Sequence, residues 1–295
     1  MMKAQGILTI TVCLLLCLTG CVGRGQTETA SPGESPPAGN AGLLDRADSQ
    51  QEPDSFAPTD QMAEPFTTST SIQDVIDNLH FALMDPTYTF SVPKKQMASG
   101  SFDILSHIME TYFSEPNEDN VSDDIMEALM RSVIRNLRVA MDNPEDYTAR
   151  SNLMWDSTMA ENRLIKMGKK CDFECHNMEH QLGAYTNCNH GCGLAVIQPV
   201  YYRHIYKEGL PKFVRFAENV WGIARDGKTD EELALAGIDA LAAFIKELSL
   251  STTLKELGAD KAQLKEIADS CGISQGSYKP MTHKEILAIF HECYE

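Results

Sequence analysis

Three histidines and four cysteines lie within 23 residues of this chain, in the segment CDFECHNMEHQLGAYTNCNHGCG at 171–193. His176 and His180 are four residues apart, so on a helix their imidazoles leave the same face one turn apart. His190 follows Gly183 and two asparagines that can turn the chain, on a loop that leads into a helix. Neutral imidazoles at such spacing are typical of ligands for a divalent metal ion.

A second pair of candidate ligands lies about seventy residues upstream, in SGSFDILSHIMETYF. Asp103 and His107 are again four residues apart, and apolar residues fill the rest of that turn. Burying an acid and an imidazole is costly unless their charge is compensated, and a shared divalent cation would compensate it. The expected ligands are one carboxylate and three imidazoles: Asp103, His107, His176 and His190. This set suits Fe²⁺ or Zn²⁺ with one position open for a substrate oxygen.

The cysteines leave other kinds of site open. The six that follow the N-terminal segment are Cys171, Cys175, Cys188, Cys192, Cys271 and Cys293. A thiolate zinc site would use Cys175, Cys188, Cys192 and a histidine, although three residues separate each pair where zinc knuckles have two. An oxidising compartment would allow a disulfide of undefined connectivity. The simplest interpretation is small, buried side chains beside the metal site.

Helices must position these residues. Apolar residues recur at steps of three and four, which predicts amphipathic helices with one buried face. The segments with this pattern are 123–141, 149–167, 212–224, 230–248 and 253–271. The only strand candidates are short, such as Tyr88–Val92. We therefore predict an all-α domain over residues 71–295.

The N-terminus has a different character. An apolar run from Ile7 to Leu18 has the length of a signal-peptide core, and Leu18-Thr19-Gly20-Cys21 looks like a bacterial lipobox. Residues 1–21 are therefore predicted to be a lipoprotein signal with Cys21 lipidated. Residues 22–70 are rich in Pro, Gly, Ser, Thr and acidic side chains, which predicts a disordered tether. The domain would then be membrane-anchored outside the cytoplasm, or cytoplasmic if the signal does not function.

The bulk composition excludes one class of partner. The formal net charge of −17 argues against nucleic-acid binding, because such a chain has few basic side chains to neutralise phosphates. An apolar fraction of 43% is enough for a folded core.

Several separated motifs resemble one known family. They include MDPTYTFSVPKKQMASGSFDILSHIMETYF, NPEDYTARSNLMWDSTMAENRLI, HNMEHQLGAYTNCNHGCGLA, RFAENVWGIA, TTLKELG and MTHKEILAIF. In this order, from about residue 81 to the C-terminus, they resemble the C-terminal helical domain of the iron-containing alcohol dehydrogenases, especially the butanol dehydrogenase branch. The resemblance implies the helical half of a dehydroquinate synthase-like fold.

The resemblance also implies roles. Asp103, His107, His176 and His190 would bind the metal, Fe²⁺ or else Zn²⁺, while His180 would lie near substrate and nicotinamide and relay the hydroxyl proton. The cation would lower the pKa of an alcohol, and hydride would pass between alcohol or aldehyde and NAD(P).

One part of the family pattern is missing from the sequence. No glycine-rich phosphate loop occurs, and the predicted signal and tether stand where an α/β nucleotide domain is expected. Three interpretations follow: a metal-dependent dehydrogenase truncated to its metal-binding half, a non-catalytic membrane-tethered metal-binding module, or one half of a split dehydrogenase. NAD(P) would bind only if another chain supplied the nucleotide domain, and an uncovered cleft would favour self-association.

Overall fold

The structure, a computed structural model, describes residues 83–295 of the 295-residue chain. The predicted signal with Cys21, the predicted tether and the first residues of the predicted domain, 71–82, lie outside the described residues. Within the described residues, no helix combines the length and apolar character that crossing a membrane requires.

The described part of the chain is helical. Its α-helices are α1 (Lys94–Tyr112), α2 (Val121–Asp142), α3 (Tyr147–Glu161), α4 (Glu174–Thr186), α5 (His190–Ile205), α6 (Leu210–Arg215), α7 (Asp230–Glu247), α8 (Leu264–Ser270) and α9 (His283–Glu292). Pro86–Thr89 and Lys261–Gln263 are 3-10 turns, and Phe216–Val220 is a π-helical turn. Strand pairing within residues 83–295 is limited to two isolated bridges. The prediction of an all-α domain is confirmed.

Polar side chains at the helix starts explain where several helices begin. Asn189 accepts the backbone N–H of Cys192 and so caps α5. Thr229 and Glu232 form a reciprocal capping box at the start of α7. These caps satisfy backbone donors that a helix cannot pair internally.

Helix α1 joins the two groups of helices that carry the candidate ligands. It packs against α2 and α3 on one side and against α5 on another, and α5 in turn packs against α4, α7 and α9. Leu105, Ile108 and Met109 of α1 are fully buried. Each such side chain contributes about 1.5–3 kcal/mol by leaving water, so α1 is held firmly while its polar face is turned towards α4 and α5.

The structure corrects the prediction of a strand at Tyr88–Val92, which was wrong. Pro86–Thr89 is a 3-10 turn because the Asp85 carboxylate accepts the backbone N–H of Thr87. Arg150 of α3 then holds this turn, donating to the Thr89 hydroxyl at 2.8 Å and to the Thr89 carbonyl. The hydrogen bonds from Arg150, which is distant in sequence, stabilise a turn although the β-branched and aromatic residues of this segment favour a strand.

Several predicted helices are shorter than their apolar patterns. The segment 149–167 leaves the helix after Glu161, and in 253–271 only Leu264–Ser270 is α-helical. In 212–224 the α-helix gives way to the π-helical turn at Phe216. Apolar spacing of three or four also suits buried turns, so periodicity alone does not set helix ends.

Candidate metal centre

The four predicted ligands come from three helices and meet in one place. Asp103 and His107 lie one turn apart on α1, as their spacing predicted. His176 lies in the first turn of α4. His190 is the first residue of α5 rather than a loop residue, and the turn before it is made by Asn187 in a left-handed conformation rather than by Gly183, which is inside α4.

One oxygen of Asp103 is the common point of this cluster. The Nε2 atoms of the three imidazoles lie 3.5, 3.4 and 3.4 Å from Asp103 Oδ1, in the order His107, His176 and His190. Two ligands that share a cation at about 2.0–2.2 Å are separated by roughly 3.3–3.6 Å in tetrahedral geometry. The distances from Asp103 Oδ1 to the three Nε2 atoms therefore fit ligands of one ion.

The donor atoms lack other partners. Asp103 Oδ1, His107 Nε2 and His176 Nε2 are buried and make no hydrogen bond to any described residue. Buried polar atoms without partners are costly, and here they converge. A divalent cation at this point would satisfy all three, so the residues present fit a metal ion.

Proton affinities in the cluster follow from these contacts. Burial alone would raise the pKa of Asp103, but the imidazoles of His176 and His190, 3.4 Å from its Oδ1, outweigh burial and hold this pKa far below its usual value. Burial would lower the pKa of His176, yet the charge of Glu110, the nearby Asp103 carboxylate and the hydrogen bond to Glu110 raise it to about 9. The cluster thus keeps Asp103 ionised and favours positive charge beside it.

Three glutamates that sequence reasoning missed surround the imidazoles. His176 Nδ1 hydrogen-bonds to Glu110, and His190 Nδ1 hydrogen-bonds to Glu179. His107 Nδ1 lies 2.7 Å from Glu161 Oε1, an ion-pair distance at which the two groups are not aligned as a hydrogen bond. A signal existed for two of them: Glu110 continues the Asp103–His107 face, and Glu179 lies three residues after His176.

A glycine makes room for one of these glutamates. A Cβ on Gly193 of α5 would lie 2.6 Å from Glu179 Cγ, closer than side-chain atoms pack. A Cβ on Gly191 would lie 2.0 Å from the Ser99 carbonyl oxygen of α1. The glycines in NHGCG thus let α5 approach both α1 and α4 and bring His190 to Asp103.

Phe173 covers the cluster next to α4. Its ring lies 5.6 Å from the ring of His107 and 5.3 Å from that of His176, and the Lys166 ammonium is 4.8 Å from its centre. Phe173 has a φ of 59°, a left-handed conformation that costs a non-glycine residue about 1–3 kcal/mol. The packing of its ring on the two imidazoles offsets this strain and shields them from water.

His180 lies beside the cluster without sharing the Asp103 oxygen. Its ring stacks on that of His190 at 5.4 Å and lies 5.9 Å from that of His176. His180 is exposed to solvent. Neighbouring side chains partly desolvate its imidazole and, together with the charges of His190 and His176, lower the pKa of His180, which favours the neutral imidazole near pH 7.

The cysteines are not at the point where the donors converge. All six in the described residues are free thiols. Two sets of metal-competent side chains occur in residues 83–295: Asp103, His107 and His176, and Glu179, His180 and His190. Neither includes a cysteine, and burial raises the pKa of the Cys188 and Cys192 thiols. The structure therefore favours small buried thiols over thiolate ligands.

A buried acidic pair lies behind the start of α4. Asp172 accepts a hydrogen bond from the Tyr201 hydroxyl at 2.6 Å, and Glu174 accepts the backbone N–H of Ser274 at 2.6 Å. Burial, reinforced by the charge of Glu110, raises the pKa of Asp172 to about 7. These contacts attach the start of the His176 helix to α5 through Tyr201 and to the segment before α9 through Ser274.

Substituting Asp172 by Asn is expected to remove part of the pH dependence of stability. The pKa of Asp172 in the folded chain exceeds the value of about 3.9 in the unfolded chain, so the folded state binds this proton more tightly. The stabilisation that this proton gives the folded state is fully present below about pH 4 and is lost as the pH rises through 7. Relative to Asp172→Asn, wild-type unfolding free energy should therefore fall by up to about 1.4 kcal/mol per pH unit in this window.

Urea unfolding at pH 5 and pH 8 measures this difference. Asp239→Asn is the matched control, because Asp239 is on the surface and paired with Arg203. The prediction would be contradicted if the free energies of unfolding of the wild type and of Asp172→Asn differed by the same amount at both pH values.

The chain is similar to several known proteins. The profile of the Fe-containing alcohol dehydrogenase family, C-terminal, matches residues 97–294. NADH-dependent butanol dehydrogenase A of Clostridium acetobutylicum is 40% identical over 219 residues, which cover 72% of this chain and 56% of the relative. NADPH-dependent aldehyde reductase YqhD of Escherichia coli is 32% identical over 184 residues, which cover 62% and 47%.

The fold is shared with solved structures. The crystal structure of NADH-dependent butanol dehydrogenase A from Thermotoga maritima superposes with a TM-score of 0.68 at 29% identity, covering 72% of this chain and 56% of that one. The chain spans about half the length of the relatives it matches.

Proposed function

We propose, because the chain belongs to the iron-containing alcohol dehydrogenase family, that it supplies the metal-binding half of an NAD(P)-linked alcohol and aldehyde oxidoreductase site. The proposed ligands of a divalent cation, Fe²⁺ or else Zn²⁺, are Asp103, His107, His176 and His190. The observation that carries this proposal is the convergence of three imidazole Nε2 atoms on Asp103 Oδ1 at 3.4–3.5 Å.

When bound, the cation supplies Lewis-acid chemistry, which polarises an alcohol or carbonyl oxygen. Side chains of the protein provide charge balance, exclusion of water and proton transfer. Asp103 balances positive charge, and the Phe173 ring keeps water from His107 and His176. His180, exposed and favoured in its neutral form, accepts the hydroxyl proton and passes it to solvent.

We propose primary alcohols and the corresponding aldehydes as substrates. The relatives are named as butanol dehydrogenases and an aldehyde reductase that use NADH or NADPH. Residues 83–295 contain no sheet on which a dinucleotide would bind in a doubly wound fold. We propose that the nicotinamide cofactor is held by an α/β domain outside these residues, which in a split dehydrogenase is a separate chain.

The second candidate function is a membrane-tethered, non-catalytic metal-binding module. It is favoured by the observation that the candidate ligands and the glutamates behind them all belong to residues 83–295, so cation binding needs no other domain. In both cases we propose lipidation of Cys21 and an extracytoplasmic location, on the strength of Leu18-Thr19-Gly20-Cys21.

Cation content and nicotinamide turnover of the purified full chain test these functions. We expect one Fe²⁺ or Zn²⁺ per chain, and NAD(P)H oxidation by butanal only after addition of the isolated nucleotide domain of a family member. If the chain binds one cation but no NAD(P)H is bound or oxidised, with or without the added nucleotide domain, the tethered metal-binding module is the remaining function. A chain that binds no divalent cation would overturn both.

A further inference from the structure

Each imidazole of the cluster has its own carboxylate on the ring nitrogen that faces away from Asp103. His176 Nδ1 contacts Glu110, His190 Nδ1 contacts Glu179, and His107 Nδ1 lies 2.7 Å from Glu161. The opposite nitrogen, Nε2, is in every case the atom near Asp103 Oδ1. The same arrangement, with Nε2 towards Asp103 and Nδ1 towards a glutamate, thus occurs three times around Asp103 Oδ1.

These contacts cross the interfaces between helices. Glu110 of α1 reaches His176 of α4, and Glu161 at the end of α3 reaches His107 of α1. Glu179 of α4 reaches His190 of α5. Each imidazole is therefore held from a helix other than its own, which restricts rotation of its ring.

Glu110 is the most firmly held of the three carboxylates. It is fully buried, and its Oε1 accepts the backbone N–H groups of Cys175 at 2.7 Å and His176 at 3.3 Å. These donors belong to the first turn of α4, where unpaired N–H groups favour an anion. Its second oxygen, Oε2, is the atom on His176 Nδ1.

A carboxylate has only acceptors, so an imidazole nitrogen that contacts it must carry the proton. Such a partner sets the tautomer, the ring orientation and the basicity of a metal-binding histidine. We propose that Glu110 and Glu179 are positioning residues that hold the protons of His176 and His190 on Nδ1 through hydrogen bonds. The Glu161 carboxylate, 2.7 Å from His107 Nδ1, favours the same tautomer by its charge, so that all three Nε2 lone pairs face the cation. This inference rests on the proposed function, because it assumes the cation site.

Glu110→Gln should be the most damaging isosteric change. The amide oxygen must stay on the Cys175 and His176 N–H groups, so the NH₂ group falls on His176 Nδ1. Nδ1 then becomes the acceptor, and the His176 proton moves to Nε2, where it points at the cation position. In Glu179→Gln the amide can keep its oxygen on His190 Nδ1. The second carboxylate oxygen of Glu179, Oε1, makes only a weak contact to Cys188 Sγ at 3.8 Å, so the NH₂ group can take its place.

Zinc affinity of the full chain, measured by competition with a chromogenic chelator, tests this inference. We expect Glu110→Gln to weaken zinc binding about 30- to 100-fold and Glu179→Gln about 10-fold or less, in the range for lost outer partners of metal ligands. Glu127→Gln is the control: it removes a carboxylate that contacts Tyr112 and Arg215 and no imidazole. It should leave zinc affinity unchanged.

Equal zinc affinity in Glu110→Gln and Glu127→Gln would overturn the inference and leave the proposed function standing. A wild-type chain that binds no zinc would overturn the proposed function as well. If Glu110→Gln does not fold, ¹⁵N NMR of the zinc-loaded wild type decides. We expect a protonated Nδ1 on each of the three imidazoles, and a protonated Nε2 on any of them would overturn the inference.

Discussion

Asp103→Ala is expected to weaken cation binding more than 100-fold. Four ligands that share about 10–16 kcal/mol of binding free energy contribute roughly 3 kcal/mol each, and 1.4 kcal/mol is a factor of ten in affinity. Asp103 is also the one anionic member of the set, and its Oδ1 is the atom that all three imidazoles approach. Its removal should exceed the loss from any single glutamate behind the imidazoles.

Zinc and Fe²⁺ titrations of the full chain measure this loss. Asp269→Ala is the matched control, since Asp269 is exposed on α8 and pairs with Lys265 on the same helix. Asp103→Asn retains an oxygen donor without the charge, so it should lie between Asp103→Ala and wild type. Circular dichroism confirms that each variant is helical. Wild-type affinity in a folded Asp103→Ala chain would show that the cation does not bind at this cluster.

Asp123→Ala is expected to destabilise the fold by about 3–5 kcal/mol, the usual cost of removing one partner of a buried ion pair. The Asp123 carboxylate is fully buried between two buried ammonium groups, 3.0 Å from Lys169 Nζ and in contact with Lys212 Nζ. Lys169 also donates to the Ser114 carbonyl at 3.1 Å, so the cluster joins the end of α1 to the segment before α4. Without Asp123, two positive charges remain in the core.

Chemical unfolding of Asp123→Ala and of its neighbour Asp124→Ala tests this expectation. Asp124 is exposed and pairs with Arg215, so its loss should cost at most about 1 kcal/mol. Burial lowers the pKa of both lysines, and loss of their counterion should lower it further. The Asp123→Ala deficit should therefore shrink as the pH rises towards about 8 and change little above it. Equal deficits in the two variants would contradict the prediction.

The sequence by itself determined the local features of this protein. The sequence contained the Asp103–His107 and His176–His180 spacings, the helical periodicity and the motifs of a family that the comparisons confirm. These features are local, because helix geometry places residues four apart on one face whatever surrounds them. Helical content and candidate ligands were therefore accessible to prediction.

The tertiary structure decided which side chains meet across helices. Glu161 lies at the end of α3, and nothing in its neighbourhood along the chain indicates a partner on α1. Asp123 and Lys212 are 89 positions apart in sequence, yet they meet in the core. Tyr88–Val92 became a turn through Arg150. Contacts of this kind depend on how helices dock, which sums many small packing terms over the whole domain and leaves no periodic trace in the sequence.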